Sequence, residues 1–251
     1  MPENNFSKVK NAPTGRIFIF LLILAAVLLL AAAGIYYGFR QAGQMREVIG
    51  RPAGNAAAVI DSLATGATST AMTDPIRQLA EKSGRPEFGN PAAGLVIVEF
   101  ADFQCPVCQE EFYQIREFVN RHQKEVRYIY RHYPVKGNNS IYLAKVSMCA
   151  GEQDKFWTLH DKLFLNQDKI ESESAVSELA RQSGLDLGKL EKCLQADQYR
   201  TLIFEDMNDA VNLGAQGTPT FIINGSKLEG AVSLENWESI LKKHQELKSK
   251  N

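Results

Sequence analysis

The chain has 251 residues, 45% of them hydrophobic and 23% charged, with a formal net charge of -1. This is ordinary globular composition, with apolar material for one good-sized domain or two small ones. The even charge balance leaves no basic patch and argues against a nucleic-acid partner.

Residues 17–37 contain no charged side chain. At about 1.5 Å per residue a helix of that length spans roughly 31 Å, the hydrocarbon thickness of a bilayer. Residues 1–16 read as a cytoplasmic leader and 17–39 as a transmembrane signal-anchor helix, with Tyr36, Tyr37 and Arg40 placed like an interfacial belt. Ala31-Ala32-Ala33-Gly34 supplies the competing reading, a cleaved signal peptide. The polar leader and the full spanning length favour the uncleaved anchor. Lys8, Lys10 and Arg16 before the span are matched by Arg40, Arg46 and Arg51 after it, so charge alone leaves orientation open.

Residues 40–88 are rich in small residues at first and build no core, so they read as a stalk. Within it Asp74-Pro75 opens a short helical stretch toward Lys82. Glycines and prolines between 84 and 94 mark the entry to the main domain, taken as 89–248. Residues 95–100 are almost continuously apolar, which predicts a strand covered on both faces. Val107, Phe112, Ile115, Phe118 and Val119 then recur at helical spacing to about residue 122, and 126–133 returns to a strand. Strand, helix and strand make a βαβ unit with a right-handed crossover. From about 138 to 214 the pattern is helical and reads as an insertion. Strands at 220–223 and 226–229, joined by the hairpin pair Asn224-Gly225, precede an amphipathic helix opened by Ser233.

The pair in Cys105-Pro106-Val107-Cys108 has three readings: a redox couple, half of a metal clip, or a staple. A thiol attacks as its thiolate, and a helix N-terminus favours the anion through unpaired N–H groups and partial positive charge. Cys105 sits where that helix begins, and Pro106 fits its first turn. Cys105 is therefore the expected attacking sulfur and Cys108 the resolving one. Glu99 is the one acid inside the apolar strand, six residues before Cys105. A carboxyl buried there titrates high and is suited to take the proton of Cys108, the alternative being a solvated acid on a strand edge. His122, His132, His160 and His244 show no ligand spacing, so no metal site is expected; His132 reads as a loop histidine. Phe156, Trp157, Leu163 and Phe164 read as insertion core. Cys149 and Cys193 fall in predicted helices, either as two buried thiols or, more in keeping with an anchored protein, as a structural disulfide. Such a bridge favours an N-terminus inside the cell and a domain outside it.

The order of FQCPVC after a strand, a helical insertion and GTPTFIING before a last helix resembles the DsbA-like family of thiol-disulfide oxidoreductases. The likeness covers about residues 90–245. It implies an α/β thioredoxin fold, βαβ plus ββα, with an inserted helical subdomain. It also implies a cis Pro219 against the active-site sulfurs, with Thr218, Pro106 and Val107 facing a substrate peptide and Glu99 matching the family's buried acid. No cofactor is implied beyond the Cys105–Cys108 disulfide. The implied partners are thiols of folding secreted or envelope proteins and, for reoxidation, a membrane quinone reductase of the DsbB or VKOR type. One departure stands out: Pro-Val replaces the Pro-His of strong oxidants, which lowers the expected oxidising power. The sequence therefore predicts disulfide formation on the periplasmic or extracytoplasmic side of the inner membrane. A tethered reductase or isomerase is the first alternative, and a copper- or zinc-binding thiol protein the non-enzymatic one.

Overall fold

The computed structural model describes residues 76–249 together with Val59. The leader, the 17–39 span and most of the stalk lie outside the described residues. Among the described residues no helix is long and apolar enough to cross a membrane.

Five strands, β1 (Glu87–Gly89), β2 (Leu95–Ala101), β3 (Val126–His132), β4 (Thr220–Ile223) and β5 (Ser226–Glu229), form one sheet in the order β1-β3-β2-β4-β5. β2 runs parallel to β3 and antiparallel to β4, so the most apolar strand has a neighbour on both sides. Every residue of β2 is buried, as its unbroken run of apolar side chains requires. Alternation sends Leu95, Ile97 and Ala101 to one core and Val96, Val98 and Phe100 to the other. Glu99 shares the parity of the first set.

The first core is covered by α1 (Pro106–Arg121) and α7 (Leu234–Lys248), which contribute Ile115, Phe118, Val119, Trp237 and Ile240. Four further helices, α2 (Asn138–Gly151), α3 (Phe156–Leu165), α4 (Glu173–Gln182) and α5 (Leu187–Ala196), extend it. Side-chain caps set several starts: Ser172, Asp186 and Ser233 accept from the N–H groups of Ala175, Lys189 and Asn236. Cys149 of α2 and Cys193 of α5 are joined in a disulfide that closes a separation of 44 residues. On the chain-entropy model a loop of that size is worth about 4 kcal/mol. The β4–β5 turn places Asn224 and Gly225 at φ 46° and 91°, the left-handed pair that a two-residue hairpin demands.

Two features depart from the sequence reading. β1 falls in the stretch read as stalk and domain entry, because its three residues between Pro86 and Asn90 are too few for a periodic signal. The helical run to 214 is also not all insertion. Its last helix, α6 (Arg200–Asn212), packs on the opposite face of the sheet and serves as the crossover to β4. The reason is electrostatic as well as apolar. Arg131 of β3 is fully buried on that face, bonds Asp206 at 2.6 Å and Asp209 at 2.5 Å, and lies 4.8 Å from the Phe100 ring. Arg85 and Lys82 reach the same two carboxylates at 2.9 and 2.6 Å, and the His132 N–H donates to Asp206. Breaking one partner of such a buried set strands the other charges. Replacement Arg131→Met is expected to cost about 3–5 kcal/mol in urea unfolding; a loss below about 1 kcal/mol would show that the network does not hold α6 to the sheet.

Candidate active site

β2 ends at Ala101, and a three-residue turn delivers Cys105 to the N-cap position of α1 with extended backbone, φ -83° and ψ 120°. The Cys105 N–H donates to the Asp102 carbonyl at 3.0 Å and its carbonyl accepts from Gln109, the first helical bond. Pro106 follows at the first helical position, where no donor is lost. Pro106 is exposed and Val107 half-buried, while Cys108, one turn on, is fully buried. Across from the pair runs the loop into β4, whose Thr218-Pro219 bond is cis. The Cys105 thiol donates to the Thr218 carbonyl at 3.2 Å, and only 6% of Cys105 is exposed.

The two thiols differ sharply in acidity. A hydrogen bond from Cys108 holds the Cys105 thiol down at about 6, helped by the Thr218 side chain and the N–H groups of Cys108 and Val107, against the cost of burial. Burial pushes the Cys108 thiol well up, and its bond to Cys105 and the negative charges of Cys105 and Glu99 push it further. Glu99 is buried beneath them. Burial raises its carboxyl to about 7 against a hydrogen bond from the Tyr128 hydroxyl, and the charge of Cys105 adds to the rise. The arrangement thus pairs an exchangeable thiolate with a thiol that must gain or lose a proton, beside a carboxyl able to handle it.

The remaining parts hold this geometry in place. Buried Asp102 accepts from the N–H groups of Gln104, Val135 and Lys136 at 2.8–3.0 Å, tying the active-site turn to the loop after β3. Gln167 donates to the carbonyls of Phe103 and Cys105 at 2.8 and 3.0 Å, and Gln109 to that of Phe164 at 2.8 Å. The helical insertion is therefore clamped directly onto the turn that carries Cys105. Behind it Phe103, Tyr130, His160 and Phe164 pack ring to ring. Phe156, Trp157, Leu163 and Phe164 belong to this same first core or its rim. His132 is the last residue of β3 and buried, not a loop histidine; burial holds it neutral, with its acidity down at about 3. Cys105, Cys108, Glu99, Thr218 and Pro219 come together at one site, while the Cys149–Cys193 bridge belongs to the insertion. The sequence reading missed Asp102, Gln167 and Glu111. Of these only Glu111 left a signal, an acid on the inward stripe of α1.

The thioredoxin family model matches residues 81–243. A Na(+)/H(+) antiporter NhaA 3 of Salinispora tropica is 31% identical over 149 residues, 59% of this chain and 22% of that protein. The chain thus spans about a fifth of the length of such curated relatives, and the likeness is to one part of them. A thioredoxin-like oxidoreductase from Silicibacter pomeroyi is 26% identical with a TM-score of 0.61, covering 68% of this chain and 97% of that one. The thiol-disulfide exchange protein alpha-DsbA2 from Wolbachia pipientis shares the fold, with 23% identity, a TM-score of 0.64, and coverage of 72% and 96%. With βαβ and ββα halves, a cysteine pair at the start of α1 and a cis proline across from it, the chain belongs to the thioredoxin family.

Proposed function

We propose that the domain exchanges disulfides with thiols of secreted or envelope proteins through Cys105 and Cys108, acting chiefly in disulfide formation. The observation that carries this reading is the Cys105 sulfur at the start of α1, 3.2 Å from the Thr218 carbonyl and acidic at about 6. In the oxidising direction a substrate thiolate attacks Cys105 of the Cys105–Cys108 disulfide. The enzyme S–S bond breaks, a substrate–Cys105 S–S bond forms, and Cys108 leaves. Cys108 is a poor thiolate, so a proton from Glu99 completes its departure. A second substrate thiolate then attacks the substrate sulfur and displaces Cys105, whose low pKa makes it a good leaving group. Two electrons pass from the substrate dithiol to the enzyme. Reoxidation reverses the flow onto a membrane quinone reductase of the DsbB or VKOR type, with Glu99 taking the Cys108 proton.

Thr218 fits a role in pairing with an extended substrate segment, with Pro106 and Val107 on the rim of the same contact. The charge-free stretch 17–37 is proposed as a signal anchor that leaves the domain on the extracytoplasmic side. Protease added outside spheroplasts should then digest the domain while it stays with the membrane; protection of the domain would reverse that orientation.

A thiol acidity near 6 lies between the values of about 3.5 for a strong oxidant and about 7 for thioredoxin. The reduction potential should accordingly fall between roughly -120 and -270 mV. The reductase or isomerase reading keeps its footing in the Pro-Val dipeptide, which gives Cys105 no imidazole partner. Thiol trapping in cells separates the two: a mostly oxidised pair supports disulfide formation, and a mostly reduced pair the alternative.

Cys105→Ser should abolish peptide oxidation, whereas Cys108→Ser should accumulate a mixed disulfide visible on a non-reducing gel; retained turnover in Cys105→Ser would end the assignment. Glu99→Gln should slow release of Cys108 at least tenfold below pH 7, where the native carboxyl holds its proton, and leave the first attack on an activated disulfide by the reduced enzyme nearly unchanged. Equal slowing of both steps would remove Glu99 from proton transfer.

A further inference from the structure

Glu111 lies on the inward stripe of α1 with Cys108, Phe112, Ile115, Phe118 and Val119, a position where packing alone calls for an apolar side chain. It is fully buried. A carboxyl buried in such surroundings is costly unless its oxygens are bonded. Both are. Oε1 accepts from the Trp237 indole N–H at 2.8 Å, and Oε2 accepts from the backbone N–H of Val232. The first bond duplicates a contact already held by packing, since Trp237 stacks on Phe118 at 5.7 Å and meets Phe221 edge-on at 5.0 Å. The second has no apolar substitute. It grips the segment between β5 and α7, and that segment in turn touches the cis-proline loop: the Gly230 N–H donates to the Pro219 carbonyl at 2.9 Å.

These contacts close a ring. From Cys105 the path crosses to Thr218, passes through Pro219 to Gly230, continues to Val232, and returns through Glu111 to the second turn of the helix that Cys105 caps. The active-site helix therefore meets the cis-proline side of the site twice, once through sulfur and once through a carboxyl. The geometry points to Glu111 as a positioning residue that fixes the Thr218-Pro219 loop against the Cys105 sulfur through Val232 and Gly230. The inference rests on Cys105 being the exchanging sulfur. Loss of the Val232 bond lets the loop drift from the sulfur, weakens the hydrogen bond from the Thr218 side chain that favours the thiolate, and makes the reduced form less favoured. Burial pushes the Glu111 carboxyl well up toward its protonated form, so a lost charge does not account for such a change. A fall in a Glu111 variant therefore reads the lost Val232 bond.

The test is the equilibrium of Cys105–Cys108 with reduced and oxidised glutathione, in Glu111→Leu and Trp237→Phe against the native chain, with circular dichroism and thermal melts alongside. If Glu111→Leu fails to fold, Glu111→Met replaces it, because its side chain offers no oxygen to either donor. Positioning predicts that the constant for reducing the protein disulfide with glutathione falls about threefold or more in the Glu111 variant. Trp237→Phe should lower the melting temperature yet stay within about twofold of the native constant, since the Val232 bond survives. A folded Glu111 variant with an unchanged or larger constant, or an equal fall in Trp237→Phe, overturns the inference. Failure of the native pair to equilibrate with glutathione at all would instead overturn the exchange chemistry itself.

Discussion

The hydrogen bond between two cysteines of unequal burial governs the rest of this structure. Cys108 sits fully inside the first core and Cys105 at its rim, so one sulfur is costly to ionise and the other is stabilised by its neighbour. A symmetric pair of exposed thiols would have no preferred nucleophile. Here the helix start, the N–H groups of Val107 and Cys108, and the Thr218 side chain all act on the same atom. In the proposed exchange this asymmetry sets the order: entry and departure at Cys105, resolution at Cys108.

Holding two sulfurs, a helix start and a loop about a hundred residues away in one place requires a frame that does not give. Sheet, insertion and cis-proline loop each grip the Asp102–Cys105 turn separately. Asp102 ties it to the end of β3, Gln167 ties it to the insertion, and the sulfur meets Thr218. On the far face, Arg131 and its carboxylates fix α6, whose end feeds the loop to Thr218. Polar contacts do this work inside a largely apolar core because they set direction as well as proximity, while ring packing around Phe103 supplies the bulk of the burial.

Much of this frame is legible in the amino-acid order. The apolar run of β2, the CPVC turn into an amphipathic helix, and Asn224-Gly225 between β4 and β5 are local signals, and each element forms within a few residues of its expected bounds. Glu99 could be singled out because an acid within so apolar a strand has few places to go. What escaped is tertiary. β1 is three residues long and exists as a strand only because β3 offers it an edge. The side of the sheet taken by α6 depends on a buried arginine 69 or more residues earlier in the chain, and His132 is buried by ring packing against Phe103, Tyr130 and Phe156 of the first core. Asp102 and Gln167 carry no pattern, since an acid in a turn and a glutamine after a helix look like ordinary surface residues until the segments they bind are in place. Glu111 is the middle case: its break in the apolar stripe of α1 is visible, but its meaning depends on Val232.

The acidity of Cys105 in the reduced protein tests the account most directly, read from the pH dependence of its alkylation by iodoacetamide with Cys108 replaced by alanine as a second arm. The structure predicts a midpoint near 6 in the native pair, rising when the Cys108 hydrogen bond is removed. A native midpoint at the ordinary thiol value of about 8.5, indifferent to Cys108, would contradict it.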